Sequence, residues 1–422
     1  MVNNHKKELA GKIGQNIVFF ALSKGTAFLA PLLFLNIVSL EEYGIIEYSY
    51  SMGSMIAMFV LLGFTGAYPY FILKRKELDK EEAFLFYGIP VLIIAVLNYI
   101  LYRLELISSQ IHIVLLFTLI FSLQRLYSTI LKSNDKGHLG VLMDGGYYFI
   151  LGSIVIFAWI FNLPHPITCL EQLMNLYLLA LGLFFLWKFY KKHKKTISQI
   201  LTKDYPEILH FSIKMALSGL IIYWLTSSSR IYIQHFMGYE KVGIYSFYFR
   251  LTGISVVLFQ FIYIAFFKHL YLANGKRLDN YYSMIMGIIL CGCLSVLLLF
   301  PFLFQSFFKE TVPNDTTLFL LLSLQMPIWV GIALCEGIIG RENLVNKMNL
   351  VIGICVLTLP LLLFLNHKTL TLHLFTLFNA LILSAAFFGQ IYILYRTNIK
   401  LKKCSILNGV LLTASILTYL YI

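Results

Sequence analysis

Apolar residues fill this chain in long unbroken stretches, and polar residues collect in short segments between them. A helix needs roughly 20 mainly apolar residues to cross the hydrocarbon core of a bilayer. Stretches of that kind run at about 13–38, 44–73, 83–102, 109–131, 139–161, 168–190, 207–236, 243–267, 280–308, 314–340, 345–366 and 370–396, and a thirteenth, 405–422, is only just long enough. The pattern predicts an all-α polytopic membrane protein with 12 transmembrane helices plus this marginal thirteenth. The ten-residue alternation of an outer-membrane barrel does not occur. The first stretch is too long for a signal-peptide core and lacks a small-residue cleavage site, so it reads as a retained helix.

The longest polar interruption is 188–206, rich in lysine and ending at Pro206. It divides the chain into an N-lobe (1–190, helices 1–6), a cytoplasmic basic linker (191–206) and a C-lobe (207–396, helices 7–12), followed by a basic loop and a C-terminal apolar helix (397–422). A faint internal repeat agrees with this division. Shifting 36–50 (NIVSLEEYGIIEYSY) by 199 positions puts Glu41 on Glu240, Gly44 on Gly243 and Ile45 on Ile244, with Tyr48 and Tyr50 falling on Phe247 and Phe249. An offset of nearly half the chain points to two lobes of six helices, the organisation of repeat-built transporters.

Composition sharpens the class. The chain is 59% hydrophobic and only 13% charged over 422 residues, with a mean hydropathy of +0.79, which excludes a water-soluble protein. The net charge of +13 would fit nucleic acid, but its distribution argues otherwise. With a cytoplasmic N-terminus, the inside segments hold 24 of the 33 lysines and arginines, including Lys74, Arg75, Lys76 and Lys80, Lys188 to Lys203, and Arg396 to Lys403. The outside loops hold four: Arg103, Lys241, Lys309 and Lys368. That alternation is the positive-inside signature. It suits anionic lipid headgroups, and nucleic acid is not an expected partner.

Five basic residues remain inside apolar stretches: Lys24, Arg125, Lys214, Arg230 and Arg250. An arginine or lysine at mid-bilayer costs roughly 2.5–3.5 kcal/mol on insertion scales, so such residues face a bundle interior or a wet cavity. Helical spacing places Arg125 on one face with Ser122 and Thr129, Arg230 with Thr226 and Gln234, and Arg250 with Ser246 and Gly253. Lys214 and Arg230 fall about 160° apart on an ideal helix, so both face one cavity only if the run Ser227–Ser229 bends it. Acidic residues are fewer. Asp144 and Glu336 lie near the inner ends of their stretches, and Glu47 and Glu171 near the outer ends. The plain alternative for any of the cations is an internal ion pair, such as Arg125 with Asp144 or Glu336. A cationic cavity suits an anionic cargo, because guanidinium groups bind phosphate through paired hydrogen bonds.

Covalent chemistry finds no support. Walker loops, His-Glu-x-x-His and Gly-x-Ser-x-Gly turns do not occur, so an enzyme is not expected. Neither a metal site nor a cofactor is expected either. The six cysteines lie in or beside apolar segments without a disulfide framework or ligand spacing. Prolines at Pro31, Pro69, Pro90, Pro301, Pro327 and Pro360 favour kinks.

Three short motifs carry a family resemblance. The chain opens with Gly14-Gln15-Asn16, Lys24-Gly25, Pro31 and Glu42-Tyr43-Gly44; its middle holds Ser228-Ser229-Arg230-Ile231-Tyr232-Ile233 and Val242-Gly243-Ile244-Tyr245-Ser246; Gly340-Arg341 and Asn349 follow later. These segments resemble the polysaccharide transporter family of the multidrug/oligosaccharidyl-lipid/polysaccharide (MOP) exporter superfamily, which includes the Wzx-type O-antigen flippases and shares the MATE-like two-lobe layout. The resemblance implies a flippase in the bacterial cytoplasmic (inner) membrane, moving undecaprenyl-pyrophosphate-linked oligosaccharide by alternating access. Its partners would be lipid-linked oligosaccharide, membrane lipids and other polysaccharide assembly proteins. The headgroup is expected against Arg230, Arg250 and Lys24, with Arg125 and Lys214 as further candidates, and an H+ or Na+ coupling ion at Asp144 or Glu336. Two features depart from the family pattern. Ser229 stands where many relatives carry an acid, which leaves Arg230 without a sequence-adjacent counter-charge, and Asn366–Leu370 replaces a Gly/Ala-rich turn. The alternatives are a lipid II-type or multidrug exporter of the same fold, or a membrane-embedded polysaccharide polymerase or acyltransferase, against which the short outside loops argue.

Overall fold

A run of apolar side chains in hydrocarbon leaves the backbone no water to bond with, so the chain must satisfy its own N–H and C=O groups by coiling. The computed structural model describes residues 2–134, 136–192, 205–273, 275–303, 305–308, 311–342 and 344–421, and no strand occurs among them. The helices in chain order are α1 (Val2–Phe34), α2 (Leu40–Val60), α3 (Phe64–Pro69), α4 (Glu81–Leu85), α5 (Gly88–Arg103), α6 (Ser109–Ser133), α7 (Gly137–Asp144), α8 (Gly146–Phe161), α9 (Pro166–Lys192), α10 (Tyr205–Ser227), α11 (Ser229–Met237), α12 (Tyr239–Leu272), α13 (Gly275–Leu303), α14 (Gln305–Phe308), α15 (Thr316–Arg341), α16 (Val345–Leu365), α17 (Leu372–Tyr395) and α18 (Lys402–Leu420). Among the described residues, ten helical stretches are long and apolar enough to cross a membrane, or twelve when two bent pairs each count as one span. The chain is a multi-pass membrane protein.

Apolar continuity does not guarantee a continuous helix. The stretch 44–73 is bent by 51° between α2 and α3, and 139–161 by 54° between α7 and α8. At the first bend Leu62 (φ 41°) and Gly63 (φ 78°) take left-handed backbone. Gly63 is needed there because a Cβ would overlap the Ser212 carbonyl and sit 2.9 Å from the Ala216 nitrogen. The second bend falls at Gly145, where a Cβ would run into Ser23 Oγ of α1. That hydroxyl donates to the Val141 carbonyl at 2.9 Å and so holds α1 against the break. Neither bend sits at a proline, whereas helices continue through Pro31, Pro301, Pro327 and Pro360. The stretch 207–236 is also interrupted: α10 ends at Ser227 and α11 begins at Ser229. The angle between Lys214 and Arg230 on an ideal helix therefore does not carry across.

The chain forms two compact units, Met1–Ser39 with Tyr48–Leu220, and Leu40–Glu47 with Ile221–Ile422. The sequence places the division at 191–206, of which 193–204 lie outside the described residues. The units part inside α10 instead, and the first turns of α2 belong to the second unit. In the first unit an aromatic cluster forms around Tyr50, with Phe117, Phe121, Tyr147 and Tyr148 at 5.1–6.0 Å between ring centroids. The second unit is built on α15, which is buried along most of its length. At 1.5 Å per residue its 26 residues span about 39 Å, more than the roughly 30 Å hydrocarbon core.

Polar groups inside this second unit bond to one another. Gln325 Nε2 donates to the Thr376 carbonyl at 2.8 Å, Asn379 Nδ2 donates to Gln325 Oε1 at 3.1 Å, and Tyr282 donates to the Leu334 carbonyl at 2.9 Å. The last helix, α18, is tied to the same unit. Asp279 of α13 accepts from the backbone N–H groups of Lys403 (3.0 Å) and Cys404 (3.1 Å), satisfying donors that a helix start leaves open.

Candidate functional site

The two copies of the weak repeat meet each other in the second unit. A Cβ on Gly44 would overlap the Tyr239 carbonyl, and one on Gly243 would overlap the Leu40 carbonyl. The 199-residue offset pairs Leu40 with Tyr239 and Gly44 with Gly243. The contact is therefore reciprocal, as an isologous contact between two related segments must be. Two glycines let the starts of α2 and α12 approach backbone to backbone, the small-residue packing that membrane helices use where no hydrophobic force drives them together.

One turn beyond each glycine, on the same face, stand Glu47 and Ser246, again 199 positions apart. Both reach Arg230, which α11 contributes from its first turn. Arg230 Nε donates to Ser246 Oγ at 2.8 Å and lies 3.1 Å from Glu47 Oε2. Because that single N–H is directed at the serine, Oε2 has no hydrogen bond of its own. Arg250, one turn further along α12, gives both Nε (2.8 Å) and Nη2 (2.6 Å) to Glu47 Oε1. The Arg230 guanidinium lies over the Phe249 ring at 4.9 Å, a favourable seat for a cation.

The burial of this group decides its character. Glu47 is 2% exposed and Arg230 7%. Among the described ion pairs, one carboxylate faces two guanidinium groups. No described residue accepts from the two terminal nitrogens of Arg230. Removing one partner of a buried pair costs about 3–5 kcal/mol, because the other charge is stranded. The arrangement corrects the expectation about Ser229: Arg230 does have a counter-charge, supplied by another helix rather than by its neighbour in sequence. Glu47, which the charge pattern shows only as an acid near an outer helix end, is the residue that the sequence assigns no part in the site.

The remaining candidates lie elsewhere. Lys24 and Arg125 belong to the first unit, and Arg230 and Arg250 to the second. Lys24 stands 5.9 Å from the Phe20 ring centroid and feels the charges of Asp144 and Lys132. Arg125 donates to the Ser54 carbonyl at 3.0 Å and to the Ser54 hydroxyl, not to a carboxylate. Asp144, at the α7–α8 break, pairs with Lys132 Nζ at 2.5 Å. The ion pairs suggested for Arg125, with Asp144 or Glu336, are thus absent among the described residues. Glu336 is half-buried on α15 with no described partner, and the Lys214 side chain lies outside the described residues.

Two further polar clusters sit at helix ends. His112 on α6 is fully buried, with Nδ1 3.2 Å from Asn98 Oδ1, Nε2 3.5 Å from Glu171, and the Tyr102 ring stacked on it at 3.8 Å. Asp315 caps α15 by accepting from Leu318 N at 2.9 Å, and its carboxylate also meets His373 Nε2 at 2.9 Å. Burial favours the neutral acid, yet the His373 hydrogen bond, the Leu318 N–H and the charge of Lys241 hold the Asp315 carboxyl below its ordinary range. Among the described residues no group of three histidine, cysteine or acidic side chains could hold a metal ion. No family model, curated protein or solved structure matches this chain.

Proposed function

We propose that the chain is a flippase that carries undecaprenyl-pyrophosphate-linked oligosaccharide, such as an O-antigen or similar surface-polysaccharide repeat unit, across the bacterial cytoplasmic membrane. The N-terminus is cytoplasmic in this reading, as the lysine and arginine distribution favours. Two six-helix lobes of the MATE-like plan would alternate access around a cationic cavity.

Arg230 carries the proposal. Arg230 is 7% exposed as a residue, its Nε donates to one serine beside a carboxylate shared with Arg250, and its terminal nitrogens bond to no described residue. A membrane protein keeps so costly a group where an anion completes it. Phosphate oxygens are the natural complement, because the planar fork of donors matches them bidentately. A cationic drug would meet two guanidinium groups there, which disfavours it.

The test is glycan display in the native host. Arg230→Ala and Arg250→Ala should each abolish surface glycan while folded protein remains in the membrane. Arg230→Lys keeps the charge but loses the fork, and should restore display only in part. Normal display in either alanine variant would defeat the proposal.

A further inference from the structure

The Glu47 cluster is unevenly bonded, and the unevenness has a direction. Arg250 spends two donors on one oxygen, Oε1, at 2.8 and 2.6 Å. The other oxygen, Oε2, is buried 3.1 Å from Arg230 Nε and accepts no hydrogen bond. Across from it, the terminal nitrogens of Arg230 donate to no described residue. The unused acceptor is buried, and the terminal donors of Arg230 do not engage it. A buried carboxylate oxygen left without a hydrogen bond is costly, and a ligand that displaces Glu47 from this position relieves it.

We propose that Glu47 is a resident competitor: a carboxylate that occupies the anion site while it is empty and is displaced from Arg250 when a phosphate-type anion enters. This rests on the reading that Arg230 and Arg250 receive an anionic headgroup. A pyrophosphate group offers several oxygens and at least two negative charges, so it can take the paired donors of Arg250 and the terminal donors of Arg230 together. Glu47 offers two oxygens and one charge: Oε1 accepts from Arg250, while Oε2, 3.1 Å from Arg230 Nε, accepts no hydrogen bond. Such a competitor performs two tasks. It keeps two like charges from repelling across α11 and α12 in the empty protein, and it weakens cargo binding enough for release, which a transporter needs as much as capture.

The experiment titrates inorganic pyrophosphate into the purified full-length protein in nanodiscs, by calorimetry, for the wild type, Glu47→Gln and an Arg230→Ala/Arg250→Ala blank. Removing the competing charge should tighten binding by about tenfold or more, and the blank should bind nothing. Folding is checked by a monodisperse elution profile. If Glu47→Gln fails that check, Glu47→Asp, which withdraws the carboxylate by one methylene, replaces it and should give a smaller gain. Equal or weaker binding in a folded Glu47 variant overturns the inference while the anion reading stands, because Glu47 would then be a strut that positions the arginines. Absence of binding in the wild type and every Glu47 variant sinks the anion reading, and the competitor with it.

Discussion

The reciprocal glycine contact between α2 and α12 makes a quantitative prediction. Gly44→Ala adds a Cβ that overlaps the Tyr239 carbonyl, and Gly243→Ala one that overlaps the Leu40 carbonyl. Both obstacles are backbone atoms of a helix, not the ends of flexible side chains, so the helices themselves must part. Overpacking of this kind costs about 1–3 kcal/mol, against which the better helix propensity of alanine returns about 0.8–1 kcal/mol. Each single variant should therefore lose about 0–2 kcal/mol net against the wild type, and about 1–3 kcal/mol against an alanine placed where no overlap occurs. The double variant should lose less than the sum, since parting the helices for one methyl makes room for the other. Gly253→Ala on the same α12 is the control, because nothing lies within 4 Å of its Cβ position; it should be neutral or slightly stabilising. The assay is the thermal unfolding midpoint of detergent-purified protein. A Gly44→Ala midpoint no lower than that of Gly253→Ala would refute the close crossing, and with it the placement of Glu47 one turn away.

Two helix ends supply further predictions. Asp315→Ala removes the cap of α15 and should cost about 1 kcal/mol. Because the folded Asp315 carboxyl titrates below its ordinary value of 3.8, its contribution is complete above that pH and is lost as pH falls through the lower folded value. The difference between wild type and Asp315→Ala in thermal melts should therefore shrink on acidification below about pH 4; a constant difference would remove the charged cap from the account. Asp279→Ala withdraws the acceptor for the first N–H groups of α18. It should cost about 1–2 kcal/mol and expose the segment after residue 396 to protease, whereas unchanged proteolysis would mean that side-chain packing alone holds the last helix.

The helices were legible because transfer into hydrocarbon depends on composition summed over a run, which the sequence shows directly. Breaks in those runs were not. Hydropathy is indifferent to whether Leu62 and Gly63 take left-handed backbone, and Gly145 differs from a packing glycine only in what stands opposite, Ser23 of α1. Prolines favour kinks, yet the sharp bends fall elsewhere: at the first, left-handed Leu62 and Gly63 redirect the chain, and at the second, Gly145 keeps right-handed backbone (φ −84°) against Ser23. Ser227–Ser229 gave fairer warning, and α10 does end there.

At the candidate site, Arg230 and Arg250 stood out because an arginine in an apolar run is expensive. Their common partner did not, because Glu47 lies more than 180 residues from either and near a predicted helix end, where an acid needs no explanation. The repeat offset sets Glu47 opposite Ser246, not opposite either arginine. Lys24 and Arg125 were equally visible as charges, but visibility says nothing of company: Arg125 is satisfied by Ser54, and Asp144 by Lys132.

The central claim is that the buried Arg230 and the part-buried Arg250 together move an anionic lipid-linked cargo. It is tested most directly by reconstituting the purified protein in liposomes with a fluorescent undecaprenyl-pyrophosphate-linked oligosaccharide and following its loss from the outer leaflet by a membrane-impermeant quencher. The account predicts that the wild type accelerates transbilayer movement and that Arg230→Ala/Arg250→Ala, reconstituted at equal density, does not. Equal acceleration by the double variant, or none by the wild type, would contradict it.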